Sequence, residues 1–159
     1  MNRKLRMAAT LLLVSVSADA QTVSRNGLET DDYKRVGVLI EDDKEALTIG
    51  LTEDRIRTRV ELRLRSVGLR PEKSDPTTLR PFLYVNIDVM GSGTHVFSIS
   101  LEYTRIVTFS VHGQQFQYVG KVWSESGSGV YRADAEVIWK GLDQTVDLFL
   151  DEYLKANQK

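Results

Sequence analysis

Alternation of apolar and polar side chains is the strongest pattern along this chain. From Phe97 to Val111 the apolar and aromatic side chains share one parity, while serine, threonine and glutamate occupy most of the other. This pattern is typical of a strand with one face on a core and the other in water. Similar alternation predicts strands over residues 34–41, 82–90 and 115–126, the last one ending at Gly127-Ser128-Gly129.

Helical spacing predicts two long helices. Thr52 is a good N-cap, and apolar side chains follow at helical spacing from Ile56 to Leu64, which predicts a helix over residues 53–67. An apolar stripe predicts a second helix over residues 133–156. Residues 42–50 have room for one or two helical turns. The segment that holds all three prolines, Pro71 to Pro81, is predicted to be a loop.

These elements follow one another in the order β-α-β-β-β-α. Two helices on one face of a mostly antiparallel sheet form a two-layer α+β sandwich, which is the fold class that we expect. Residues 21–33 are polar and show no periodicity, so they are expected to be a flexible leader. Residues 34–157 are then expected to form a single domain.

The first 20 residues have the three parts of a secretory signal peptide. Cationic side chains from Arg3 to Arg6 precede an apolar run that reaches Val16, and Ala18-Asp19-Ala20 supplies an A-x-A cleavage site. The run is shorter than the roughly 20 residues of a membrane-spanning helix. Because the chain has no cysteine, we expect neither a lipid anchor nor a disulfide. The sequence predicts cleavage after Ala20 and a periplasmic or secreted protein.

Charge and residue chemistry argue against several functions. The formal net charge of −1 at pH 7 does not suit a nucleic-acid-binding protein, which needs a basic footprint. The two histidines, His95 and His112, lie at opposite ends of the predicted long strand and are not expected to share a metal ion. We predict no catalytic residue, no metal site and no cofactor.

Four segments, VGVLIED (36–42), LTED (51–54), VELRLR (60–65) and LYVNI (83–87), resemble small exported bacterial α/β proteins of unknown function. The element order is also similar to the small α/β modules of envelope proteins, such as the amino-terminal domain of the β-propeller protein of the Tol-Pal system. This resemblance implies the architecture alone and assigns no catalytic residue.

Two Gly-Ser-Gly segments form the candidate ligand site. Gly91-Ser92-Gly93 and Gly127-Ser128-Gly129 each follow a predicted strand, so a meander brings both to one end of the sheet, with His95 and the start of the last helix. Free backbone N–H groups there would suit a small anionic ligand. The alternative is that both segments are ordinary turns.

The first long helix carries a basic stripe that is a candidate partner surface. Arg55, Arg59 and Arg63 repeat every four residues, as do Asp143, Asp147 and Asp151 on the last helix. The alternatives are a solvated helix flank or two stripes that face each other.

The expected function is a non-catalytic exported module that binds an envelope protein or a small anionic ligand. One alternative is a small periplasmic hydrolase or carbohydrate-active enzyme that uses carboxylates such as Asp88 and Glu102. Another is a homo-oligomeric structural protein that pairs through its exposed sheet face. Phe116, Tyr118 and Trp123 fall on both parities of the fourth strand, so at least one of them is expected to be exposed.

Overall fold

The computed structural model describes residues 27–29, 34–41, 43–74, 80–91, 94–131 and 135–157. The predicted signal peptide and its cleavage site lie outside these residues. In chain order the elements are β1 (Arg35–Ile40), α1 (Lys44–Thr48), α2 (Glu53–Ser66), β2 (Arg70–Lys73), β3 (Phe82–Met90), β4 (His95–Val111), β5 (Gln114–Tyr131) and α3 (Glu136–Asn157).

The five strands form one open mixed sheet in the order β2-β1-β3-β4-β5. β1 pairs in parallel with β2 and with β3, whereas the pairs β3-β4 and β4-β5 are antiparallel. α2 and α3 pack against this sheet and against each other. The predicted α+β class is confirmed.

α2 begins and ends for local reasons that the sequence shows. Thr52 is the N-cap of α2, and its Oγ1 accepts a hydrogen bond of 3.4 Å from the Arg55 N–H. Gly68 has a φ of +85°, the left-handed value that follows many helix ends. α2 and α3 bury their apolar stripes, and Val60, Leu142 and Phe149 are 0% exposed.

The prediction of a loop across the prolines is wrong for residues 70–73. β2 occupies them, with Pro71 opposite Val36 of β1. Proline has no N–H to donate, but β2 is an edge strand, where this loss is tolerated. Hydrogen bonds from Arg70 N–H to Lys34 O (2.6 Å) and from Ser74 N–H to Val38 O (3.2 Å) hold its two ends.

The prediction that Gly127-Ser128-Gly129 ends the last strand is also wrong. β5 continues through all three residues, which pair with residues 97–99 of β4. A Cβ added at Gly129 would lie 2.7 Å from the Phe97 ring, so glycine leaves room for that ring. The glycine of this segment therefore reflects the packing of β5 against the Phe97 side chain of β4, and not a turn.

Candidate functional site

β4 and β5 extend beyond the rest of the sheet as a two-stranded hairpin. The last rung between β3 and β4 joins Phe82 to Thr104, whereas β4 and β5 stay paired as far as Val111 and Gln114. His112 and Gly113 close the hairpin with φ angles of 51° and 81°, positive values as in a two-residue type I′ turn. We call residues 105–120 the arm.

A β-bulge decides which side chains of the arm share a face. The register between β4 and β5 shifts next to Tyr103, so that Val122 has no partner on β4. Beyond this point Phe116 and Tyr118 lie on the same face as Trp123, because the extra residue reverses the alternation. That face is the core face of the sheet. The prediction that at least one of these three aromatic residues is exposed is confirmed by Phe116 and Tyr118, although the bulge places all three on one face and not on two.

No helix of the described residues packs over the core face of the arm. The exposed fractions of its large side chains are 48% for Phe109, 43% for Val111, 43% for Phe116 and 66% for Tyr118. The rings of Phe109 and Phe116 stack with their centroids 5.7 Å apart. Residues 106–120 contain no Asp, Glu, Lys or Arg. We call these four side chains the arm face; it is an exposed, uncharged continuation of the hydrophobic core.

The base of the arm is anchored on the domain. Arg105 donates hydrogen bonds to the carbonyl oxygens of Gly27 (3.0 Å) and Glu29. Leu28, between them, is 1% exposed, so the described residues 27–29 of the predicted leader pack on the core. Trp123, which is 8% exposed, donates from Nε1 to Glu152 Oε2 at 2.9 Å. These contacts give the arm a defined orientation.

The arm face was missed by sequence reasoning, although two signals for it exist. The apolar parity of β4 continues to Val111, and no charged side chain interrupts residues 106–120. Neither signal reveals that β3 begins level with Thr104, so that β4 and β5 continue beyond Tyr103, where Phe149 of α3 packs on the sheet.

The basic stripe of α2 faces the acidic stripe of α3. Arg59 forms two hydrogen bonds of 2.7 Å with the Asp143 carboxylate. Arg63 bonds both Asp143 and Asp147. Of the partner-surface candidates, Arg59 and Arg63 are thus engaged inside the molecule. Among the described residues, the guanidinium group of Arg55 donates to a single backbone carbonyl, Gly50 O, at 2.6 Å.

This ion-pair cluster predicts a specific loss of stability in acid. Hydrogen bonding to Arg59, with Arg63 adding to it, lowers the pKa of Asp143 from 3.8 to about 2. A lowered pKa stabilises the fold above the unfolded-state value, and this stabilisation is lost as pH falls through about 2. We expect the free energy of unfolding of the wild type to exceed that of the Asp143→Asn variant by about 1 kcal/mol at neutral pH, after allowance for solvent screening.

Urea denaturation between about pH 2 and pH 6 measures this difference. The control is Asp151→Asn, because Asp151 is 75% exposed and lies 3.9 Å from Lys155. That variant should follow the wild type at every pH. A constant gap between wild type and Asp143→Asn down to the lowest pH would contradict the lowered pKa.

The structure describes only part of the ligand site predicted at the two Gly-Ser-Gly segments. Ser92 and Gly93 lie outside the described residues, as do residues 132–134. α3 begins at Glu136, three residues after its predicted start at Ala133. Gly91 has a φ of +113°, and the His95 ring stacks on Tyr131 at 4.8 Å. Because Gly127–Gly129 belongs to a strand, it is not a loop wrapped around a ligand. Anion binding there stays a prediction.

The two carboxylates of the enzyme alternative are held apart. Asp88 is paired with Ser98, and Glu102 lies four residues further along β4, a separation of about 13 Å. Paired carboxylates in glycosidases lie roughly 5 to 9.5 Å apart. Asp88 accepts from Ser98 Oγ at 3.3 Å, and Glu102 from Lys121 Nζ at 2.8 Å. The structure therefore does not bring these two groups to one reaction centre.

The acidic stretch before α1 caps that helix. Asp43 accepts hydrogen bonds from the N–H groups of Glu45 (3.0 Å) and Val89 (2.8 Å), so it also ties α1 to the end of β3. An open hollow of about 490 Å³ lies beside it. In the part of the chain that the structure describes, no group of three or more metal-ligating side chains comes together.

Among the described helices, none has the length and apolar character needed to cross a membrane.

No family model and no curated protein matches the chain. Among solved structures, the chain is similar to a minor lipoprotein from Acinetobacter baumannii, with a TM-score of 0.30 and 10% sequence identity over 78% of this chain and 83% of that one. The function of the present chain has to be inferred from its own geometry.

Proposed function

We propose that this protein is an exported, non-catalytic binding module that docks an envelope protein through the arm face. The observation that carries the proposal is the uncovered continuation of the core face, on which Tyr118 is 66% exposed. Large exposed apolar patches on soluble domains commonly mark binding sites. Aromatic side chains are the anchors that protein interfaces use most. Export rests on the signal-peptide pattern that ends at Ala20.

The size of the arm face favours a different protein over a second copy. Its four side chains are 43% to 66% exposed, which amounts to on the order of 400 Å² of accessible surface. Two copies packed face to face would bury about twice that area, below the roughly 1,200 Å² of a stable interface. A partner that covers the face and also pairs with the free edges of the hairpin buries more surface.

The anchored base supports a binding role. Arg105 and Trp123 fix the hairpin on the domain through the hydrogen bonds to Gly27, Glu29 and Glu152. A ribbon that is already oriented loses less conformational entropy when it binds. The polar face of the same ribbon, with Gln115 and Gln117, supplies a matched control surface.

Site-specific photocrosslinking in cells tests this proposal. A photoreactive side chain at position 118 should give an adduct with one defined protein, and the same group at position 117 should not, because 117 points to the opposite face. The exported chain that forms the adduct should begin at Gln21. With the purified partner, Phe116→Ser/Tyr118→Ser should weaken binding about tenfold or more, since such anchors contribute most of the affinity.

Gln115→Ser/Gln117→Ser serves as the control and should bind like the wild type. Equal crosslinking from positions 117 and 118 would overturn the proposed face. An adduct with twice the mass of the chain would replace the envelope partner by a second copy. A chain that keeps Met1 and stays in the cytoplasm would overturn export.

A further inference from the structure

A second hollow lies on the helix layer, away from the arm. Its volume is about 380 Å³, and it is lined by Asp54, Arg55, Thr58, Arg59, Leu62 and Trp139. Trp139 lies about 20 Å along α3 from Glu152, the residue that anchors the base of the arm. This hollow therefore belongs to a surface that the proposed docking function does not use.

Two guanidinium groups and an indole define its chemistry. The Cζ atoms of Arg55 and Arg59 each lie 5.2 Å from the centroid of the Trp139 ring, within cation–π range. Arg59 is neutralised by Asp143. Among the described residues, no carboxylate forms an ion pair with Arg55, whose Nη1 donates only to Gly50 O at 2.6 Å. Arg55 thus brings to this wall a guanidinium group that no described carboxylate pairs with directly.

The remaining lining residues are Leu62, Trp139, Thr58 and Asp54. Leu62 is 59% exposed, whereas Trp139 is 6% exposed. Thr58 lies one helical turn after Arg55 and adds a hydroxyl to the same wall. Asp54 at the hollow adds one negative charge. A ligand that suits this lining has one negative charge for Arg55 and an aliphatic part for Leu62. A dianion would be repelled more strongly by Asp54.

We propose that this hollow binds a small apolar monocarboxylate. The carboxylate accepts from the free donors of Arg55 and from the Thr58 hydroxyl, in the bidentate manner that guanidinium groups favour. The aliphatic part packs on the exposed side chain of Leu62, next to Trp139. Charge complementarity with Arg55 selects the acid over its neutral amide.

NMR titration of the intact exported chain with N-acetyl-L-leucine tests this site. The chain has two tryptophans, so its spectrum holds two indole N–H signals, and Trp123 is an internal reference because it is bonded to Glu152. N-acetyl-L-leucine should move the Trp139 indole signal and the amides of Arg55 and Thr58. N-acetyl-L-leucinamide should leave them in place. Arg55→Gln should weaken binding about tenfold, the usual cost of losing a charge-assisted hydrogen bond.

Two further variants keep the result interpretable. Leu62→Ser should also weaken binding, and Arg65→Gln, an exposed arginine of α2 paired with Glu61, should bind like the wild type. The absence of any shift up to about 20 mM acid would overturn the site. Equal shifts with the acid and the amide, or an unchanged titration of Arg55→Gln, would overturn it as well.

Discussion

Replacing Phe149 with alanine should lower the free energy of unfolding by about 3 to 5 kcal/mol, the cost of emptying a buried aromatic site. Phe149 is 0% exposed. Its ring centroid lies 5.4 Å from that of Tyr103 and 5.2 Å from those of Trp123 and Tyr153. The ring therefore joins α3 to β4 and β5 at the centre of the aromatic cluster. A loss of this size approaches the whole stability of a small domain.

Urea denaturation followed by tryptophan fluorescence measures this loss, since Trp123 contacts Phe149 directly. Thr104→Ala is the control, because Thr104 is half-buried and shares the parity opposite to Tyr103, away from α3. That variant should change the free energy of unfolding by less than about 1 kcal/mol. Similar small effects of both substitutions would mean that α3 does not cover this part of the sheet.

Replacing Gly37 with alanine should cost about 1 to 3 kcal/mol, although it adds a single methyl group. Gly37 lies in β1 between β2 and β3. A Cβ there would lie 2.9 Å from the Cβ atoms of Phe82 and Ser74 and 3.0 Å from Pro81 O. These atoms move only with the backbone. The new methyl group would therefore push two neighbouring segments away from β1.

Gly127→Ala is the matched control within the same sheet. No atom lies within 4 Å of a Cβ added at Gly127, so the substitution should be neutral or slightly stabilising. Chemical denaturation of the two variants compares a crowded strand glycine with an uncrowded one. If Gly37→Ala proved as stable as Gly127→Ala, the close approach of Ser74 and Phe82 to β1 would be contradicted.

Where a local pattern meets no interruption, the sequence predicted the element. The parity of β4, the N-cap Thr52 of α2 and the apolar stripe of α3 each depend on neighbours within a few residues, and all three are confirmed. Patterns that depend on a distant partner were misassigned. β2 exists because β1 offers it an edge, and Gly129 is glycine because the Phe97 ring needs its space.

The candidate sites show the same division. Facing basic and acidic stripes were among the sequence-based alternatives, because helical spacing is local. Their register was not predictable: a pairing of Arg59 with Asp147 follows from spacing as readily as the observed one with Asp143. The hollow around Arg55 requires α2 and α3 to be in contact, and Trp139 lies 84 residues after Arg55 in the chain.

The sequence by itself determined the α+β class, the order of its long elements and the side of each that faces the core, because these follow from the periods of helices and strands. Only the tertiary structure decided where the helix layer stops. The bulge at Val122 turns Phe116 and Tyr118 to the core face, and β3 begins level with Thr104, so the arm extends beyond the rest of the sheet. Among the described residues, no helix packs on the arm face. Both outcomes depend on how distant segments align, which the composition of a single segment does not record.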